Sequence, residues 1–169
     1  MYPKVVIKTP LGDIHVELYS DKAPVTVDNF LRYVDAKLYD GTTFSRTVTM
    51  ENQPNDEVKI LVIQGGMVAK EKSFPPIPHE TTEVTGLKHL RGTISMARFK
   101  PGSAAASFFF CLRNEPELDY GGKRNKDLQG FASFGMVTEG MNVIHKIHQQ
   151  PYEGQRLTSP VEIISIRRL

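Results

Sequence analysis

The sequence predicts a single mainly-β domain carrying two helical caps, and three observations lead there. Short apolar runs recur along the 169 residues, each bounded by glycine, proline or polar turn residues. The hydrophobic period lengthens to a helical one in only two places, around residues 24–38 and 141–148. No internal repeat, heptad run or low-complexity tract interrupts the pattern. Many short strands with two helices fit an all-β barrel or sandwich.

Val5 to Ile7 and Ile14 to Leu18 read as paired strands joined at Thr9-Pro10-Leu11-Gly12, since proline presets φ at the second turn position. Ile14, Val16 and Leu18 alternate with His15, Glu17 and Tyr19, which predicts one buried and one wet face. From Pro24 to Leu38 the apolar residues Val27, Phe30, Leu31, Val34 and Leu38 fall at helical spacing, with Pro24 suited to the first turn. Ile94 to Ala97 and Phe108 to Leu112 are strands flanking a turn-rich excursion with Lys100-Pro101-Gly102-Ser103. On the second of these, Ser107, Phe109 and Cys111 share one face while Phe108 and Phe110 share the other. Val143, Ile144 and Ile147 stripe a short helix over Met141 to His148, and Val161 to Arg167 returns to the sheet.

Bulk properties narrow the function classes. A chain of this length with 40% hydrophobic residues buries a core without disulfides or metals, and its single Cys111 among apolar neighbours reads as an inert buried thiol in a reducing compartment. A formal net charge of +2 gives no basic surface for nucleic acid. Met1 to Lys8 lacks a signal-peptide pattern, and no apolar run is long enough to span a membrane. The expected setting is a cytoplasmic monomer binding neither nucleic acid nor membrane. His145 and His148 could face a metal at i, i+3, but no nearby cysteine or acidic ligand completes a site. Lys123-Arg124-Asn125-Lys126 reads as a solvated loop, as does Met50 to Glu57, whose Glu51, Asn52, Pro54, Asn55, Asp56 and Glu57 are expected at the surface.

Three motifs stand apart from this background: Phe44-Ser45-Arg46, Val62-Ile63-Gln64-Gly65-Gly66, and Ser95-Met96-Ala97 followed by Phe108-Phe109-Phe110-Cys111. Together they resemble the cyclophilin family of peptidyl-prolyl isomerases, in which an F-x-R strand, a Q-G-G strand end and an S-M-A…F-F-x-C segment form one peptide-binding face. The resemblance extends from Gly12-Asp13-Ile14 to the last strand, including Ala23-Pro24, Asn29-Phe30, Gly135 and Glu139-Gly140-Met141. It implies one domain over residues 1–169, a closed eight-stranded antiparallel barrel with an α-helix over each open end.

It also implies a reaction, rotation about Xaa-Pro bonds of unfolded or flexible polypeptides, which assists folding and needs no metal or cofactor. The barrier is ~18–20 kcal/mol because twisting destroys amide resonance. In the twisted state the prolyl nitrogen regains a lone pair, so a donor aimed there acts only at the transition state. An arginine suits this, being permanently charged and planar. By the match, Arg46 is that donor and Gln64 orients it. Phe109 is the floor for proline, Leu118 an apolar wall, and Ala97 the residue along which the peptide backbone lies. Leu61 and Val62 stand where phenylalanine and methionine line the pocket. Ser107 replaces a glutamine that contacts the peptide, and Phe131 a histidine or tyrosine that bonds the proline carbonyl. Arg98 and Phe99 replace smaller neighbours, Glu117 stands where many members have tryptophan, and Ser45 where they have histidine. The 47–60 connection is longer than usual. These departures leave a second function class open: a weak or inactive cyclophilin-like module that binds proline-containing peptides or a protein partner.

Overall fold

The computed structural model describes residues 1–169. Its strands are β1 (Lys4–Thr9), β2 (Gly12–Leu18), β3 (Thr43–Val48), β4 (Val62–Gly65), β5 (Thr93–Met96), β6 (Phe108–Cys111), β7 (Ser133–Glu139), β8 (Tyr152–Glu153), β9 (Arg156–Glu162) and β10 (Ser165–Arg168). The helices are α1 (Pro24–Asp35), α2 (Thr82–Thr85) and α3 (Met141–His148). All neighbouring strands pair antiparallel in the order β10-β1-β2-β7-β5-β6-β4-β3-β9-β8.

This corrects the closed eight-stranded barrel. The sheet has ten strands and is not closed, with β10 and β8 at its ends. The extra count arises partly because the apolar run Val161–Arg167 bends at Ile163-Ile164. There Ile163 N–H donates to Thr42 O at 2.7 Å and Ile164 N–H to Lys8 O at 2.8 Å, so the run leaves β3 for β1. β-rich composition alone hides such a corner.

The β1–β2 hairpin forms as expected, with Thr9 opposite Gly12 and the Thr9 hydroxyl donating to Gly12 O at 2.7 Å. Val5 pairs with Val16 and Ile7 with Ile14, placing all four in a core of 29 buried apolar residues. α3 forms as read, over Met141–His148, while α1 stops at Asp35. Ala36 remains αR and Lys37 turns left-handed at φ 58, which sends the chain back along the sheet. The N-terminus of α1 lacks a side-chain cap of its own. Glu80 supplies one from a distant loop, accepting Thr26 N–H at 2.7 Å and Val25 N–H at 3.3 Å, where a carboxylate also complements the helix dipole. Its Phe30 then packs edge-on to Phe108, with ring centroids 5.6 Å apart. α2 was not expected; it is one turn, too short for a period to show.

α1 also braces the next structure that matters. Asn29 Nδ2 donates to Ala105 O at 2.6 Å, and the Tyr39 hydroxyl, just beyond the helix, donates to Ala106 O at 2.7 Å. The segment before β6 is thereby fixed from behind.

Candidate functional site

A row of four side chains crosses four strands on the face opposite the main core. Arg46 on β3 pairs with Gln64 on β4, Gln64 with Phe109 on β6, and Phe109 with Ser95 on β5. Adjacent strands lie about 4.8 Å apart, so arginine and phenylalanine are held roughly 10 Å apart by backbone pairing alone. The F-x-R spacing alone would not achieve this, because residues two apart share a face in a regular strand. Phe44, however, is in the main core. A β-bulge at Ser45 sets two residues of β3 against one step of β4 and turns Arg46 to the other side. The glycines that follow Gln64 allow the close packing behind it. A Cβ on Gly65 would lie 2.7 Å from Thr43 O, and one on Gly66, at φ +78, would lie 2.4 Å from the Phe108 ring.

The alternation read on β6 holds. Phe108 and Phe110 enter the main core, while Phe109 and Cys111 join a second cluster with Val48, Ile60, Val62 and Leu118, against which Ala97 and Phe131 pack. The Phe109 and Phe131 rings meet edge-to-face at 5.2 Å. Above this cluster opens a groove of about 750 Å³, lined among others by Arg46, Val62, Gln64, Ala97, Arg98, Phe99, Ser107, Phe109, Leu118 and Phe131. Cys111 is buried beneath it, and burial raises its thiol pKa well above the ordinary value.

Leu61 is the one expected lining residue that lies elsewhere. It packs against the main core, and its N–H donates to the buried Glu115 carboxylate at 2.6 Å. The physical reason is the strand period: Val62 and Gln64 face the groove, so residue 60 joins them and residue 61 does not. Ile60 takes the lining role, and continuing the alternation back from Gln64 would have found it.

The two arginines differ. Arg98 has its whole fork bound: Nε to Gly130 O, Nη1 to Phe99 O and Asp127, and Nη2 to Asp127 Oδ1 at 3.0 Å. Its side chain is 1% exposed and lies 4.9 Å over the Phe131 ring. As a substrate contact its guanidinium is therefore spent; it braces the groove wall. Arg46 has no carboxylate at hydrogen-bond distance. Nη1 donates to Gln64 Oε1 at 2.8 Å, and Nε and Nη2 both donate to Gln155 Oε1 at 2.9 and 2.7 Å. One N–H on each terminal nitrogen remains free. Burial, then the neighbouring Arg124 cation, lowers the Arg46 pKa, with Asp56 opposing; an arginine stays protonated regardless.

Gln155 was missed, and no local signal marks it: it sits 109 positions from Arg46, between the two-residue β8 and β9. The 47–60 connection also departs from a plain solvated loop. Glu51, Pro54, Asn55 and Glu57 are exposed and Asn52 and Asp56 half-exposed, but Gln53 is buried. Its amide donates to Thr49 O at 2.7 Å and Ile60 O at 2.6 Å, stapling the neck of the loop. Arg124, read as solvated, donates to Gln53 Oε1 at 2.8 Å and Val58 O at 2.7 Å, so two long loops interlock beside Arg46. His145 lies against Arg91 and His148 Nε2 bonds Val48 O, so these two histidines are engaged separately.

Beneath Phe109, His89 bridges Asp119 Oδ1 at 2.7 Å and Ser95 Oγ at 2.8 Å. The order imitates a hydrolytic triad. Ser95 is fully buried, however, and the Phe109 ring lies parallel to the imidazole at 6.0 Å, so no acyl group can reach it. The network supports the groove floor.

Residues 4–168 match the family described as cyclophilin type peptidyl-prolyl cis-trans isomerase/CLD. The chain belongs to this family. A peptidyl-prolyl cis-trans isomerase of Acinetobacter baylyi is 36% identical, with 96% of this chain and 84% of that protein covered. Peptidyl-prolyl cis-trans isomerase A of Dickeya dadantii is 39% identical, with 86% and 70% covered. The fold is also that of a Cryptosporidium parvum cyclophilin crystal structure, with a TM-score of 0.80 at 22% identity over 100% of this chain and 98% of that one. A second structure of that protein, obtained in the presence of the dipeptide Ala-Pro, gives a TM-score of 0.75 over 97% of each chain. The groove of this chain has few polar fittings at two of the expected positions. Phe131 offers no hydrogen bond, and Glu117, half-exposed, uses Oε1 to accept Lys123 N–H at 3.2 Å.

Proposed function

We propose that this peptidyl-prolyl cis-trans isomerase works through Arg46, on proline-containing segments of unfolded or flexible client proteins. The observation that carries the reading is a guanidinium held by two neutral amides, with free N–H groups, beside the apolar cluster of Phe109, Val62, Leu118 and Phe131. The pyrrolidine ring sits on Phe109, and the peptide backbone lies along Ala97 and Ser107. Phe99, 95% exposed at the rim, meets residues flanking the proline. As the amide twists, the prolyl nitrogen pyramidalises and accepts a hydrogen bond from Arg46. Gln64 keeps the fork aimed. A guanidinium neutralised by a carboxylate would donate more weakly, so its amide partners matter. No covalent bond changes, which suits a groove whose serines, Ser73, Ser103 and Ser107, have no histidine or carboxylate hydrogen-bonded to them. That a Cryptosporidium parvum cyclophilin of the same fold has been crystallised in the presence of the dipeptide Ala-Pro supports the substrate class.

The nearly balanced charge and the buried free Cys111 support a cytoplasmic monomer that binds no nucleic acid; no helix is long and apolar enough to cross a membrane.

The test is cis/trans exchange of an Ala-Pro peptide with wild type, Arg46→Ala and Arg46→Lys, alongside melting curves. Arg46→Ala should lower turnover at least a hundredfold, equivalent to ~2.7 kcal/mol of barrier, with little loss of peptide affinity. Arg46→Lys should recover little, because it lacks the planar fork. A folded Arg46→Ala protein with near-wild-type turnover would overturn the mechanism. Peptide binding by wild type without detectable exchange would establish a binding module instead.

A further inference from the structure

We infer that Gln155 is a positioning residue for Arg46, and that the long loop after β3 contributes to the isomerase by fixing Gln155 through Asn52. The inference rests on the reading of Arg46 as the catalytic donor.

Gln64 holds only one edge of the Arg46 fork, through Nη1. A single hydrogen bond leaves the guanidinium free to swing about it. Gln155 holds the opposite edge, since its Oε1 accepts from both Nε and Nη2. Two anchors on opposite edges define the plane of the fork and direct its remaining N–H groups into the groove. That orientation is what a donor to a transient lone pair requires.

Gln155 is itself fixed at both ends. Its backbone carbonyl accepts Thr47 N–H at 2.9 Å, immediately after Arg46 in the chain. Its side-chain Nε2 donates to Asn52 O at 3.1 Å, which settles the amide with its oxygen toward Arg46. Asn52 is locked in turn. Its Oδ1 accepts Thr49 N–H at 2.7 Å and its Nδ2 donates to Thr47 O at 2.8 Å, while the adjacent Gln53 staples the loop neck. An unbroken series of hydrogen bonds thus runs from the loop to the guanidinium. The polar loop, which on composition alone looks dispensable, ends against the catalytic side chain. Neither glutamine carries charge, so the double anchor fixes Arg46 without neutralising it.

The experiment uses the full chain with Gln155→Met, which keeps the length of the side chain and removes both polar ends, and Asn52→Ala, which frees the loop turn. Three readouts are taken: kcat and KM for an Ala-Pro peptide, the melting temperature, and the Arg46 Nε–H resonance by NMR. Gln155→Met should lower kcat about tenfold with KM changed less than twofold. It should also shift and broaden the Nε–H resonance. Asn52→Ala should act in the same direction and more weakly. Unchanged kcat with a folded protein would overturn the inference, as would an Nε–H resonance identical to wild type. A fall in kcat that merely tracks the melting temperature, with the resonance unmoved, would also overturn it by assigning Gln155 to general stability. The resonance reports the hold on Arg46 independently of turnover. If Arg46→Ala keeps its turnover while the resonance responds to Gln155→Met, the catalytic reading has failed and the anchoring has not.

Discussion

Arg46 and Arg98 line the same groove and are held in opposite ways. Arg98 is bound by a carboxylate and by two backbone carbonyls, with its charge matched and its side chain 1% exposed. Arg46 is held at three nitrogens by two amide oxygens, with no carboxylate at hydrogen-bond distance. The first arrangement removes an arginine from chemistry and makes it part of the wall. The second aims one and leaves it reactive as a donor. Residue type and groove location are shared, so the partner decides the role.

The same division runs through β6. Phe108 meets the rings of Phe30, Tyr39, Phe44 and Phe110 within the aromatic core, whereas the rings that Phe109 meets are Phe131 and the His89 imidazole, in the smaller cluster beneath the groove. Phe108→Ala should therefore be the largest stability loss, roughly 3–5 kcal/mol, by leaving a cavity the packed rings cannot fill. Turnover per folded molecule should change little. Phe109→Ala should lose less stability and more turnover. Thermal melts and peptide exchange on both variants check this, and an equal loss of stability with full activity in Phe109→Ala would erase the distinction between the two faces.

Arg98→Ala comes next. It removes the partner of Asp127, the bonds to Gly130 O and Phe99 O, and the stacking on Phe131, so about 2 kcal/mol of stability should go, softened because Asp127 can rehydrate. Its KM for peptide should rise as the wall loosens, with kcat within a few-fold of wild type. A kcat loss comparable to that of Arg46→Ala would show that both arginines act on the amide and that the contrast is false.

Much of this was legible in the sequence because it is encoded by period and spacing. The division of Phe108, Phe109 and Phe110 follows from alternation, and α3 from its apolar stripe. What was not legible depends on tertiary geometry. The bulge at Ser45 leaves no mark in F-x-R, yet it alone separates Phe44 from Arg46. Gln155 reaches Arg46 only because β9 pairs with β3. Gln53 is buried although its neighbours are polar, since its amide satisfies both strands of the loop neck. Arg98 reads as a groove cation until Asp127 is found beside it. The Ile163-Ile164 corner is likewise invisible, because a bending strand and a straight one share the same composition.

The smallest effect concerns acid. The Arg98 hydrogen bond, followed by Gln129 N–H, holds the Asp127 carboxyl below its ordinary pKa. A depressed carboxylate contributes stability that is present above the unfolded value of about 3.9 and lost as pH falls through the lower folded value. With its side chain 31% exposed, the contribution should stay under ~1 kcal/mol. Asp35 and Asp40 are lowered by Arg168 and Arg167, so the acid limb as a whole has several sources. The informative quantity is the difference between wild type and Asp127→Asn. It should be positive and constant at neutral pH, begin to fall at about pH 4, and vanish only below the lowered folded pKa, as wild type loses what the variant already lacks. Peptide KM should follow the same difference, because the wall carries Arg98. The ratio of kcat values should stay flat across that range, since the two anchors of Arg46 are amides with no proton to gain. If that ratio bends where Asp127 titrates, the wall and the donor are coupled, and the two arginines are one device rather than two.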